Sequence, residues 1–577
     1  MTKRSHADSG GSGVLLAFGV VAAIVLVCPP AAALAVADPT ISSYSVTPSS
    51  LQAAGFTQVA QSTTLSYSDT SIDAKNQLTR FPPGLLVNTN LPQCSESDLQ
   101  ANACPANTQV GTSSNTDSTP ATVAGNVYNM APQGTEAARF GNVPVSGTKT
   151  HIVFNLRSTD YGLDASLLED LAPIPGTTRI TNLTITFNAQ SMGSVNFQRM
   201  PTSCDAATSS TEVSNYTNAE VSTSTSAFTP TGCGSVPFTP KLSVEIGSTG
   251  ATAIQQYPPV AITITSPEGN ADLRANAITL PVELNTNNTA YSLCSQAQAD
   301  SNSCPAASQF GTATAKSRFL ATALSGPVYL IQQTSSSLPG LLLDLQGQVR
   351  VKIQTSTVLI NNKQIQSVAT NSPQLPVTEL SVALNGGKTT GVFQNRSDLC
   401  FEDNSVSKFK AIGSDVVFVG WNDALTATKV DAKVNGCGAG VTGSIAGAQG
   451  RNPTMTLKTT KHPDAPNMKQ IEVLLPKSLA FSKSRLRKGA GGTIAATLGR
   501  GSFKVAGRTL TVSALPAAGT SRITLKLRKG LLKVKKSSRS LLNRGKTQKY
   551  KVKVTETPIT GAKLSTTTTI SVKGRRR

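Results

Sequence analysis

Beyond residue 37 the chain alternates apolar and polar side chains far more often than it repeats them at helical spacing. Leu183-Thr184-Ile185-Thr186-Phe187, Ala261-Ile262-Thr263-Ile264-Thr265, Val349-Arg350-Val351-Lys352-Ile353 and Leu380-Ser381-Val382-Ala383-Leu384 all follow this pattern. Successive strand side chains point to opposite faces, so each segment reads as a strand with one buried side. Clusters of Pro, Gly, Asn and Ser separate the segments, as turns do. Helical patterning is scarce. Residues 95–102 and 295–303, between closely spaced cysteines, read as short helical turns, and residues 165–171 are one further helical candidate. The expected fold class is all-β, with two duplicated, disulfide-clipped β-sandwich-like domains and a smaller basic β domain.

The duplication is visible in the cysteines. Cys94, Cys104, Cys204 and Cys233 are followed by Cys294, Cys304, Cys400 and Cys437, so the first pair recurs after 200 residues with nine intervening residues each time. Four cysteines per copy allow three connectivities, and the recurring close spacing favours Cys94–Cys104, Cys204–Cys233, Cys294–Cys304 and Cys400–Cys437. On a loop-closure model the short bridges each stabilise by about 3 kcal/mol and the longer ones by about 4. A zinc site is not expected, because His151 and His462 lie beside no cysteine pair.

An oxidising compartment fits the N-terminus. Lys3 and Arg4 precede an apolar run over residues 14–27; Pro29-Pro30 interrupts it, and Ala35-Val36-Ala37 offers a cleavage site. Residues 1–37 are thus expected to be a secretory signal, with an uncleaved anchor as the alternative. Val27 before Cys28 argues against lipoprotein processing. The expected location is secreted, extracellular or attached to the cell envelope.

Longer blocks repeat as well. Cys104-Pro105-Ala106-Asn107-Thr108-Gln109-Val110-Gly111-Thr112 matches Cys304-Pro305-Ala306-Ala307-Ser308-Gln309-Phe310-Gly311-Thr312, and Gly125-Asn126-Val127-Tyr128 matches Gly326-Pro327-Val328-Tyr329. Phe197-Gln198 precedes Cys204 as Phe393-Gln394 precedes Cys400, and both copies close on Gly-Cys-Gly. These blocks, with Gly232-Cys233-Gly234-Ser235-Val236-Pro237-Phe238-Thr239-Pro240, resemble a family of uncharacterised secreted repeat proteins of actinobacteria. Phe81-Pro82-Pro83-Gly84-Leu85 is similar to that family's Leu-Pro-Pro-Gly-Leu segment, while the second copy departs with Leu280-Pro281-Val282-Glu283-Leu284. The resemblance spans roughly residues 40–440. It implies export and internal repeats and brings no catalytic residue with it. The expected organisation is a signal at 1–37, repeats at 38–240 and 241–440, a Gly/Ala linker at 441–452 and a basic β domain at 453–577.

Charge separates that last domain from the rest. The 577 residues hold 52 Lys+Arg against 31 Asp+Glu, with only 14% charged residues and 5% aromatics. This composition excludes a polytopic membrane protein, a collagen and a highly charged disordered chain. Residues 441–577 contain 30 Lys+Arg against Asp464, Glu472 and Glu556, a net +27 that leaves −6 for the preceding 440 residues. Arg522-Ile523-Thr524-Leu525-Lys526-Leu527-Arg528, Leu532-Lys533-Val534-Lys535 and Lys549-Tyr550-Lys551-Val552-Lys553-Val554 alternate aliphatic with basic positions. The candidate polyanion-binding residues are therefore Arg522, Lys526, Arg528, Lys533, Lys535, Lys549, Lys551 and Lys553, with Arg575, Arg576 and Arg577 as a mobile cationic tip. Exposed lysines also discourage edge pairing, but a field of one sign attracts polyanions. The expected partner is an anionic wall polymer or anionic membrane surface. Nucleic acid is expected only non-specifically, since no reading motif occurs and Phe481, Phe503 and Tyr550 are the domain's only aromatics.

Catalytic signatures are missing. There is no Gly-x-Ser-x-Gly, His-Glu-x-x-His, P-loop or dinucleotide-binding glycine pattern. His151, in a strand-like stretch, reads as structural, as does His462 before Pro463. Asp164, Glu169 and Asp170 are carboxylate candidates for glycoside cleavage. Trp421, the single tryptophan, is a sugar-stacking candidate if exposed, and Ser68-Asp69-Thr70-Ser71-Ile72-Asp73 is too generic a calcium loop. The leading expectation is a non-catalytic envelope protein with no cofactor and no metal; an exported hydrolase or glycan binder is the alternative.

Overall fold

The computed structural model describes residues 38–576, apart from residues 70, 120, 146–147, 172–178, 217–220, 288–290, 335–337, 362, 403–404, 483–493, 497–501 and 514–517. The expected signal segment and Arg577 lie outside the described residues. The fold is all-β, and the described α-helices are short: Glu96–Gln100, Gln296–Asp300 and Lys536–Asn543. The helical candidate at 165–171 is corrected. Leu163–Leu167 is a strand, paired on both sides, with Leu163 and Ala165 turned inward. Two neighbouring ladders outweigh a weak local helical signal.

Each repeat is a barrel-like β-structure. When strands are numbered from each repeat's own first strand, Thr40–Pro48 and Lys241–Ile246, the order 1-2-10-5-6-7-8-9-3-12-13 appears in both. The second repeat adds only Lys433–Val434, pairing parallel outside its first strand. In the first repeat the opening and closing strands meet across a seam, where Ile41 and Val46 donate backbone N–H bonds to the Ser222 and Ser226 hydroxyls. The repeated sequence blocks explain this shared frame. A Cβ on Gly111 would lie 2.3 Å from the Thr186 carbonyl oxygen, and one on Gly311 would lie 2.3 Å from that of Ala383, so both positions require glycine.

The structure joins Cys94 to Cys104, Cys204 to Cys233, Cys294 to Cys304 and Cys400 to Cys437. The two short bridges each clip a five-residue helix onto the barrel wall. Ser95 and Ser295 cap these helices by accepting the N–H of Asp98 and Gln298. Lys149 and Lys352 donate to carbonyls at their C-terminal ends, Gln100 and Ala299, favouring the negative end of each helix.

The repeats share topology but not filling. In the first, Phe81, Phe140, Phe154, Phe187 and Phe197 meet with centroid separations from 5.2 to 6.0 Å. Register places Leu341 where Phe140 stands, Thr357 where Phe154 stands and Leu384 where Phe187 stands. The matching sequence blocks place Leu280 at Phe81 and Phe393 at Phe197. Those five residues of the second repeat all line an apolar cavity of about 90 Å³.

The repeats dock closely. Arg199, almost fully buried, pairs with the equally buried Asp272 at 2.9 Å and donates to the Asn270 carbonyl. The Tyr161 hydroxyl bonds the Lys352 backbone, and Phe319 of the second repeat enters the core of the first.

The basic domain is a sandwich around one core. One sheet runs Gly440–Ala446, Thr454–Thr460, Arg522–Leu527, Ile494–Ala496, and the other Ser502–Ala506, Thr509–Ser513, Met468–Leu474, Gln548–Pro558, Leu564–Val572. Residues 441–452, expected as a flexible linker, instead begin within the edge strand Gly440–Ala446, with Val441 and Ile445 in the core. Glycine here answers crowding rather than mobility: a Cβ on Gly443 would lie 2.6 Å from Ile570.

Candidate functional site

The basic rows are placed by the sandwich. Ile523, Leu525 and Leu527 point inward from one sheet, which turns Arg522 and Lys526 outward; neighbouring Lys458 is exposed on that same outer face. Tyr550, Val552 and Val554 point inward from the other sheet and expose Lys549, Lys551 and Lys553. Because both inner rows share one core, the two basic rows face opposite sides of the domain. Lys533 and Lys535 flank buried Val534 on a two-stranded ribbon with Leu479–Phe481, and exposed Arg528 precedes the turn at Gly530, whose φ is +92°. The candidate cations thus surround the domain instead of forming a single patch.

Arg575 and Arg576 differ from the expected mobile tip, and Arg577 lies outside the described residues. The Arg575 carbonyl accepts from the Gln449 side chain at 2.7 Å, and that amide also bonds the Leu542 carbonyl. Residues 574–576 therefore pack beside the helix Lys536–Asn543. This helix, unrecognised in the sequence, adds exposed Lys536. Its four-residue polar start, Lys-Ser-Ser-Arg, hid the signal that buried Leu542 supplies.

The domain's three acids scarcely offset this field. Glu556 is buried in the sheet, Glu472 lies 3.7 Å from Lys563, and Asp464 accepts the Val434 N–H at the junction with the second repeat. Burial pushes the Glu556 carboxyl up to about 7, against the smaller opposing influence of the Ala439 backbone and of Lys461. His462, beside the Phe409 ring at 4.8 Å, is held below its ordinary range by burial. It serves the junction as a packed, hydrogen-bonding ring.

The catalytic candidates do not converge. Asp164 pairs with Arg157 at 2.6 Å. Glu169 accepts from the His151 backbone and lies 2.7 Å from its Nδ1, while Glu96 on the clipped helix lies 2.9 Å from Nε2. Asp170 is directed to Tyr216. The second repeat carries Gln354 in the register of His151, and its side chain donates to Gln296 of the equivalent helix at 3.5 Å. The same helix-to-strand contact, made once by a histidine between carboxylates and once by two amides, is a pin. The apolar cavities of the repeats carry neither acid nor histidine in their walls.

Trp421 is half-buried; its indole N–H donates to the Ser372 carbonyl and Arg274 lies over its ring at 6.0 Å, so that face is already covered. In the generic calcium loop, Asp69 is engaged by Ser71 and Asp73 lies 3.4 Å from Arg179, while Thr70 lies outside the described residues. Among the described residues no group of three or more His, Cys, Asp or Glu is placed to hold a metal ion, and no helix is long and apolar enough to cross a membrane.

No protein-family model and no curated protein matches the chain. Among solved structures it is similar to the Enterococcus faecalis MSCRAMM ACE, described as binding its ligands by a collagen hug, with 8% identity, 58% of this chain and 95% of that one covered, and a TM-score of 0.17. A Corynebacterium diphtheriae protein described as membrane anchored matches with 9% identity, 92% of each chain and a TM-score of 0.17. The full-length major pilin SpaD of the same organism matches with 10% identity, 84% of this chain and 82% of that one, and a TM-score of 0.17. At these values no function is carried over.

Proposed function

We propose that this is an exported, non-catalytic envelope protein. The basic sandwich holds it on anionic surface polymers, and the two docked repeats form the displayed unit. The observation that supports this reading is the placement of lysine and arginine rows on both outer faces of a domain with three acids, one of them buried. Charges on opposite faces suit a polymer that surrounds the domain better than a flat bilayer, which touches one side. Attraction by a one-signed field is long-ranged and weakened by salt. The buried ion pair between the repeats suits a stiff display unit.

Stepwise salt release from intact cell envelopes tests this reading in the full chain. Neutralising Lys549, Lys551 and Lys553 to Gln should lower the releasing salt concentration, as should neutralising Arg522 and Lys526. The combined variant should pass into the medium. Equal release of the combined variant and the parent would overturn the reading; a shift confined to one row would favour a flat surface over a polymer.

A further inference from the structure

We propose that the second repeat takes the alkyl chain of a lipid into its barrel interior. The inference rests on the repeat fold and is independent of the basic domain. Four of the five phenylalanines that fill the first barrel are replaced in the second by Leu280, Leu341, Thr357 and Leu384 on the same frame, and all four line the cavity of about 90 Å³. The hollow is therefore written into side-chain size while the ladder is kept.

Its shape selects the ligand. A second cavity of about 80 Å³ shares Ile264, Ile353 and Leu380 with the first. A third, of about 80 Å³ at the seam between the repeats, shares Leu324, Val351 and Leu375 with the second. Three neighbouring cavities that share aliphatic side chains as common walls suit a flexible, unbranched chain that displaces those walls better than a compact ring. Ordered water needs two to four polar partners, which these walls supply poorly. An unfilled void also forfeits dispersion contacts.

One end of the barrel provides a mouth. Leu359 continues the inward row of the strand Val351–Ile360 and pairs across to cavity-lining Ile365, yet it is 46% exposed. Its counterpart in the first repeat, Leu156, is packed against the cores of both repeats. Docking covers this position in the first repeat and leaves it exposed in the second.

The test uses delipidated full-length protein and dansyl-undecanoic acid as the fluorescent probe. One saturable site is expected, with displacement by dodecanoate and a rise in Tm of roughly 5 °C at saturation. A Thr357→Phe, Leu384→Phe variant, carrying the first repeat's residues, should bind at least about tenfold more weakly while keeping its thermal transition. If that variant fails to fold, Ala369→Leu narrows the same chamber and should weaken binding in the same direction. Absence of saturable binding by the parent protein would show a dry packing void and overturn the proposal. So would binding unaffected by filling the chamber, or naphthalene binding more tightly than dodecanoate.

Discussion

In the first repeat Phe140 meets Phe154, Phe187 and Phe197 at 5.2–5.7 Å, whereas its counterpart in the second, Leu341, faces open space. Around these interiors the frame is the same: one strand order, the crowded glycines at 111 and 311, a capped and clipped helix, and a lysine at that helix's end. Backbone ladders and caps set the frame, and side-chain volume sets what lies inside it. A duplicated domain can therefore empty its core without changing topology, because the ladder makes its hydrogen bonds whatever the inward residue's size.

Truncation is the most forceful way to break this comparison. Phe140→Ala should destabilise the first repeat by about 3–5 kcal/mol, since a tightly surrounded ring leaves a new cavity. Leu341→Ala should cost about 2 kcal/mol, the low end for an aliphatic side chain, because one side of Leu341 already faces a void. Denaturant unfolding of the full chain checks both, and equal losses would mean that the second interior is as well packed as the first.

The docked state of the repeats comes next. Arg199→Ala leaves Asp272 buried without its partner and should cost about 3–5 kcal/mol, while an Arg199→Leu, Asp272→Leu pair should recover most of that loss. Calorimetry should show the single variant separating into two repeat transitions. A single unshifted transition would show that the repeats dock without this pair.

Much of the frame was legible in the sequence. Period-two alternation marked the strands, cysteine spacing marked four loop closures, and residues 95–102 and 295–303 contain the helices Glu96–Gln100 and Gln296–Asp300. What stayed hidden depends on register and on distant partners. Nothing local tells that Thr357 takes the place of Phe154, because that correspondence passes through three neighbouring strands. Arg199 and Asp272 are 73 residues apart and meet only after two barrels have formed. The glycines after Cys437 looked like a linker because crowding by Ile570 and Thr566 lies more than a hundred residues downstream. The basic alternation is visible strand by strand in the sequence, but which sheet each strand joins decides that the rows face apart.

The two junctions of the chain extend the contrast. Opposite charges close the repeats onto each other, whereas a lone buried carboxyl, Glu556, sits where the chain enters the basic domain near Ala439. Its carboxyl rises from an ordinary 4.5 to about 7. The folded state then holds the proton more tightly than the unfolded one. The contribution is fully present below about pH 4.5 and is lost as pH rises through about 7, a loss of about 3 kcal/mol. Glu556→Gln should match the parent near pH 4 and exceed it in stability above pH 7. Parallel stability profiles for the two proteins would place the carboxyl in contact with water.

The smallest difference between the repeats is the pin on the clipped helix. His151 makes contacts to Glu169 and Glu96, both of which only accept, so both ring bonds form when both nitrogens carry hydrogen. Gln354 makes a single longer contact to Gln296. His151→Gln installs the second repeat's side chain in the first and should cost about 1 kcal/mol, since Glu96 is half-exposed and exposed pairs contribute little. Hydrogen exchange should quicken at residues 96–100 and remain unchanged at 296–300. A loss approaching that of Phe140→Ala, or exchange quickening throughout the barrel, would mean that this histidine supports the core itself, and that the two repeats differ in what holds their walls together as well as in what fills them.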